Sequence, residues 1–286
     1  MKRAWVLSSM LVLMGCPQDE EDTIRFGVDA TLKELGLGEF IQASYEESSK
    51  QRTELIYADT DKLFELASAG KVDTAFVISE RALERLDKAG IPIRAETYAH
   101  EELMVIGPYD DRLGKHGKAS GAAFLENVSR LNYRYLKGKR GSVEHARHTK
   151  LFIEGGDAAE PGAWFDTDFE GLALARAAIQ KNAFAMVKRS SLLLAAAEGK
   201  LPHRIYKAGD PALVLRMVIV EVHPSRTKRP RHPGLYDFIT SEEGQKIVAS
   251  FGVKRFGTAV YAPGAPDPGV GADVPELQAA PAPATP

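Results

Sequence analysis

The sequence predicts an α/β protein of two lobes, with mixed sheets flanked by helices and joined by two crossover strands. Three observations predict it. Short apolar runs alternate with amphipathic segments, the pattern of strands joined by helical crossovers. Two long extended runs, "AETYAHEELMVIGP" and "LVLRMVIVEV", bracket a block with its own strands and helices, as expected of a chain that leaves one lobe, builds a second and returns. Once both ends are set aside, a body from about Thr23 to Ala262 remains, long enough for two lobes or one large domain.

The chain begins "MKRAWVLSSMLVLMGC", with Lys2 and Arg3 ahead of an apolar run too short to anchor across a bilayer, which is the pattern of a secretory signal peptide. Its end, Leu13, Met14, Gly15 and Cys16, resembles the bacterial lipobox. That resemblance implies cleavage at residue 16, a lipid on Cys16 and attachment to the cell envelope. Cys16 is the only cysteine, so no internal disulfide is possible. Residues 17–23, "PQDEEDT", read as a polar tether.

Along the body, "TIRFGV", "TELIYA" and "VDTAFVI" read as strands, and "TLKELGLGEFIQASYEE", "TDKLFELASAG" and "SERALERLDKAG" as the helices between and after them. Helices are expected around residues 119–135, 145–154, 170–181 and 190–198, with "AFAMV" as a buried strand among them. The division falls at "VIGP" and near "RIYKAG", giving lobe I as 23–107 and 207–262 and lobe II as 108–206. The last helix, "SEEGQKIVASFGV", has Ser241 as its cap and Glu242 and Glu243 at its positive start. Ile247, Val248 and Phe251 share one face, and Gly252 supplies the stop. Residues 263–286 are rich in Pro, Ala and Gly and read as a disordered tail.

Composition narrows the partners. A net charge of -2 and a pI near 6.4 exert no global pull toward nucleic acid or an anionic membrane. There is no Walker loop, Gly-rich dinucleotide turn, Gly-X-Ser-X-Gly elbow or His-Glu-X-X-His pair. The expectation is therefore a protein that is not an enzyme and carries no cofactor. His145 and His148 lie one turn apart on an expected helix but lack a convergent carboxylate or cysteine, so no metal site is assigned.

Several stretches carry a family resemblance: "KVDTAFVISERALERLDKAG", "EELMVIGPYDD", "KNAFAMVKRSSLL", "YKAGDPALVLRMVIVEVHP" and "LYDFITSEEGQKIVASFGVKRFG". Together they resemble, in order and over most of the body, the extracytoplasmic solute-binding proteins of tungstate and molybdate ABC importers. The resemblance implies the two-lobed type II periplasmic-binding-protein fold, a small-molecule or oxyanion ligand in the cleft, delivery to an ABC permease and no catalysis. It also implies that the last helix packs on lobe I as scaffold.

The ligand motifs diverge. Where the family has Thr-Thr-Thr-Ser after the first strand, this chain has Val28, Asp29, Ala30 and Thr31; where it has Gly-Thr-Gly, this chain has Asp59, Thr60 and Asp61. The family's Ser-Arg-Gly-Asp-Asp-Ser-Gly-Thr-His is met by "KGKRGSVEH", which keeps Ser142 and His145 and offers Arg140 for the arginine. A glycine-rich helix start becomes Glu170, Gly171 and Leu172. By this alignment the ligand candidates are Asp29, Thr31, Asp59, Thr60, Arg140, Ser142 and His145. Thr31, Thr60 and Ser142 also stand where helices begin, so simple capping is the competing reading. The new carboxylates are expected to repel a dianion and to favour a ligand with a positive group facing lobe I. The competing function is an envelope interaction or sensor lipoprotein that kept the fold and lost oxyanion binding.

Overall fold

Each apolar run long enough to be read as a strand forms one. The computed structural model describes residues 23–265 except 79, 111–112, 114–118, 155–162, 200, 229 and 233. The first half alternates β1 (Ile24–Asp29), α1 (Leu37–Ser49), β2 (Thr53–Ala58), α2 (Thr60–Ser68), β3 (Thr74–Val77) and α3 (Glu80–Lys88). Because a helix separates each strand from the next, the strands run parallel, in the order β2-β1-β3. The long strand β4 (Pro92–Gly107) then leads to α4 (Gly121–Arg130), β5 (Tyr135–Leu136), α5 (Val143–Glu154), β6 (Trp164–Phe165), α6 (Gly171–Gln180), β7 (Phe184–Lys188), α7 (Arg189–Ala197) and β8 (Arg204–Lys207). The return strand β9 (Val214–Val222) precedes α8 (Pro224–Thr227), α9 (Gly234–Thr240), α10 (Glu242–Ser250), α11 (Val253–Phe256) and β10 (Ala262–Pro263).

β4 is the strand that joins the two halves. From Pro92 to Glu102 it pairs antiparallel with β9, which also pairs with β3. From Leu103 it pairs with β7, and near its end with β8. Its partners thus change between Glu102 and Leu103, before the Gly107 boundary that the sequence suggests. β5 lies parallel to β7 and β6 parallel to β5, so the second half repeats the parallel arrangement of the first.

Both faces of each half are apolar and covered. One core runs through both halves, from Phe26, Leu37 and Phe76 through Leu103, Val105 and Met217 to Phe124 and Phe184. The opposite face of the first half buries Leu63, Val77, Leu86 and Val220. The opposite face of the second buries Met104, Ile106, Leu174 and Val187. Strand periodicity explains the split: Leu103 and Val105 point one way, Met104 and Ile106 the other.

Three local expectations are corrected. The helix expected over 31–47 is broken: Ala30–Leu35 forms a 3-10 turn, Gly36 takes a left-handed φ of 78°, and α1 starts afterwards. The helix expected over 119–135 stops at Arg130, because Asn132 is left-handed (φ 52°) and the chain turns into β5. In α10, Ser241 caps the Gly244 amide at 3.2 Å as expected, but Val248 is the buried residue and Ile247 only half-buried. Phe251 is 7% exposed and packs on Phe40 of α1 and on Tyr261, at ring separations of 5.2 and 5.7 Å.

The first residues of the expected tail, from 263, belong to the fold. Ala262 and Pro263 pair with His100 and Ala99 of β4, and the Gly264 amide donates to Tyr98 O at 3.0 Å. Residues 266–286, the signal peptide with Cys16 and most of the tether lie outside the described residues.

Candidate functional site

In parallel α/β sheets the strands' carboxyl ends and the following helix starts face the same way, so polar groups collect there. Here both halves direct such ends into one cleft of about 400 Å³. The first half contributes Asp29 at the end of β1 and Thr31 after it, Asp59, Thr60 and Asp61 after β2, and Ile78 after β3. The second contributes Lys139 to Glu144 ahead of and into α5, Glu170 and Gly171 at α6, and Lys188 at the end of β7.

On the first wall the hydroxyls are already committed. Asp29 is 2% exposed. Its Oδ1 accepts from the Thr31 amide (3.0 Å) and the Thr31 hydroxyl (2.8 Å), and its Oδ2 accepts from the Thr60 hydroxyl at 3.1 Å. Both threonines therefore turn their hydrogens toward Asp29 and present oxygen lone pairs to the cleft. Asp59 caps α2 by accepting from the Lys62 amide at 2.8 Å, and Asp61 pairs with Arg85.

The second wall is mixed. Ser142 Oγ accepts from the His145 amide at 3.2 Å, as an N-cap does. Glu144 Oε1 accepts from the Gly171 amide at 3.1 Å. The basic loop is largely spent within its own half: Lys137 and Arg140 bind Asp166 at 2.8 and 3.2 Å, and Lys139 lies 3.5 Å from Glu170. Hydrogen bonds from Lys137 and Arg140 hold the Asp166 carboxyl below the usual carboxylate range. Lys188 is buried on the cleft floor, and its Nζ donates to Thr31 O across the cleft at 3.4 Å. Behind it, burial raises the carboxyl of Glu101, an effect the Lys188 charge moderates.

Two further contacts bridge the halves beside the cleft. The Leu172 amide donates to Glu34 Oε2 at 3.4 Å, and the Arg189 guanidinium donates to Thr258 Oγ1 at 3.2 Å. Gly171 takes a φ of +54°, and a Cβ there would stand 3.2 Å from Glu34 Oε2, so the glycine gives Glu34 its room at the α6 start.

Six of the seven sequence candidates line this one cleft: Asp29, Thr31, Asp59, Thr60, Arg140 and Ser142. His145 does not line it. His148, one turn on, stacks on Tyr135 at 5.0 Å, beside Trp164, and belongs to the aromatic core. Among the described residues no group of three or more His, Cys, Asp or Glu is placed to hold a metal ion. The sequence reading missed Glu34, Glu144 and Lys188. A cation closing the buried run "AFAMV" was the available signal for Lys188, since a charged residue ending a covered strand needs a polar destination.

The cleft lining holds six carboxylates (Asp29, Glu34, Asp59, Asp61, Glu144 and Glu170) and three cations (Lys139, Arg140 and Lys188). Carboxylates thus outnumber cations in the lining, and the first wall presents acceptor oxygens.

No protein-family model matches the chain. Over 226 residues, 76% of this chain, it is 23% identical to a candidate ABC transporter anion-binding protein of Haloferax volcanii; the match spans 66% of that relative, just under two thirds of its length. Among solved structures, the tungstate-binding protein TupA from Desulfovibrio alaskensis superposes with a TM-score of 0.75 at 20% identity, over 85% of this chain and 99% of that one. A tungstate ABC transporter structure from Geobacter sulfurreducens gives 0.68 at 19% identity, over 81% and 99%. The β2-β1-β3-β9-β4 order, the strand shared by both halves and these superpositions lead to one conclusion: the chain has the type II periplasmic-binding-protein fold.

Proposed function

We propose that this chain is an exported solute-binding protein that captures a small molecule in the cleft between its halves and delivers it to an ABC permease, tethered to the envelope by a lipid on Cys16. The observation that carries this reading is the cleft itself. Strand ends and helix starts from both halves converge on one space large enough for a small solute. Support also comes from the similar proteins, one named for tungstate binding, one as a tungstate ABC transporter and one as an ABC transporter anion-binding protein.

The ligand class differs from theirs in this reading. An oxyanion is held by neutral donors in a locally positive field, whereas Thr31 and Thr60 donate to Asp29 and the Lys139 and Arg140 charges face Glu170 and Asp166. The solute accordingly carries a positive or hydrogen-bond-donating group toward Asp29, Asp59 and Asp61, and tungstate and molybdate bind weakly.

Native mass spectrometry of the purified full chain, with thermal-shift titration against oxyanions, amino acids and metal salts, tests the reading. A saturable one-to-one complex with a solute supports it. A chain that carries no small molecule and is stabilised by none of these contradicts it.

A further inference from the structure

We propose that Lys188 seats an anionic group of the ligand, so that the solute of this cleft is a small zwitterion: its acidic end rests on Lys188 and its ammonium end on the oxygen-lined wall of the first half. The inference rests on the solute-capture reading above and names the chemistry of the solute.

Lys188 is 2% exposed and lines the cleft. An ammonium has three donors, and burying one is costly unless it is paired and hydrogen-bonded. Among the described residues its one hydrogen bond is the long contact to Thr31 O at 3.4 Å, and it forms no ion pair there. Glu101 influences it from a distance, but one Glu101 oxygen accepts from the Ser190 amide at 3.3 Å and the other, Oε1, is buried without a partner. Burial raises the Glu101 carboxyl and the Lys188 charge opposes that rise, but the two side chains form no ion pair or hydrogen bond with each other among the described residues. The Lys188 charge is left directed at the cleft.

A second donor lies on the same side. Ser142 Oγ is used as an acceptor by the His145 amide, which leaves its own hydrogen for an incoming oxygen. Glu144 also lines this wall, but its Oε1 is turned to the Gly171 amide. Across the cleft the character inverts: the threonine hydrogens are committed to Asp29, and Asp59 and Asp61 stand at the rim. At Lys188 and Ser142 the cleft asks for an acceptor, and at the first wall for a donor. A bare dianion satisfies only the former, and a simple cation only the latter. The volume of about 400 Å³ lies at the small end of the ligand-pocket range, about 300–1,000 Å³, which fits a solute of amino-acid size.

The test uses the purified full chain and a Lys188→Met variant, which keeps most of the side chain's length and removes its charge. The probes are the twenty L-amino acids, glycine betaine and tungstate, by calorimetry and thermal shift. The carboxamide and N-acetyl derivatives of the best amino-acid binder serve as single-charge controls. The expected result is one-to-one binding of a zwitterion, weakened roughly tenfold or more by blocking either end and by Lys188→Met. Without a probe, Lys188→Met removes a buried charge but also the charge that moderates Glu101, so the variant is read by its zwitterion binding and its melting temperature serves only to report folding. Unchanged zwitterion binding by the folded variant makes Lys188 a structural residue and overturns the proposal. Tight tungstate binding with no zwitterion binding overturns it while leaving solute capture standing; binding of no probe overturns both. The blocked derivatives read the charge requirement on wild-type protein, so the test stands even where the variant fails to fold.

Discussion

The Thr60 hydroxyl donates to Asp29 Oδ2 at 3.1 Å, so the carboxylate that ends β1 holds the residue that begins α2. With the Thr31 hydroxyl also on Asp29, one side chain converts two neutral donors into part of an acidic wall. Asp29→Ala is expected to release both hydroxyls and to raise tungstate affinity roughly tenfold by removing a nearby unit charge. Loss of the cap on Thr31 should cost about 1–2 kcal/mol of stability. Calorimetry and denaturant melts read the two effects separately, and unchanged tungstate affinity would remove Asp29 as the cause of exclusion.

The closing helix α10 is scaffold, fixed to the first half by Phe251 on Phe40 and Tyr261. Phe251→Ala should destabilise the protein by about 3–5 kcal/mol, as expected for a buried aromatic. Ile247→Ala, at a half-buried position, should cost clearly less. Equal costs in urea melts would contradict this account of the helix face.

Much of this architecture was legible because its signals are local. Alternating apolar runs located β1, β2, β3, β4, β7 and β9, and Ser241 and Gly252 marked the ends of the closing helix. Two-residue strands such as β5 and β6 are too short to carry a period, and only pairing with their neighbours makes them strands. The break at Gly36 was visible as a glycine, but the Asp29 cap that tightens the preceding turn depends on geometry. Of the site, the helix-start positions could be placed from order along the chain. Glu34 could not, because its importance arises only when the two halves face each other.

An ion cluster around the buried Glu221 ties the first half's sheet to α9. Glu221 of β9 is 2% exposed and accepts from Arg231 at 2.6 and 2.9 Å and from Arg94, which also bonds Asp237 of α9 and stacks on Tyr236. Burial alone would raise its carboxyl, but the hydrogen bonds from Arg231 and Arg94 prevail and hold it below the usual carboxylate range. A depressed folded-state pKa contributes stability that is present above the unfolded carboxylate value and lost as pH falls through the folded one. Glu221→Gln should therefore cost about 3 kcal/mol at pH 7 and progressively less below pH ~4. A cost independent of pH would show that the charge is not what stabilises the cluster.

The lipid-anchor proposal has a direct check at residue 16. In a bacterial host the full-length chain is expected in the membrane fraction, with its mature N-terminus at Cys16. Cys16→Ser should leave the precursor unprocessed or release the protein from membranes. A soluble wild-type protein whose mature N-terminus lies elsewhere would refute the anchor.

The central claim is that this binding-protein fold carries a cleft built against a bare oxyanion. Near a protein surface a unit-charge pair at ~4 Å is worth about 4 kcal/mol. Asp29, Glu34, Asp59 and Asp61 thus act together against a dianion, each attenuated by its distance from the ligand. Calorimetric titration of tungstate into the purified full chain at physiological salt decides the matter most directly. The account predicts a dissociation constant weaker than about 100 μM, a binding energy of no more than about 5.5 kcal/mol. Submicromolar one-to-one binding would contradict it and return the cleft to ordinary tungstate capture.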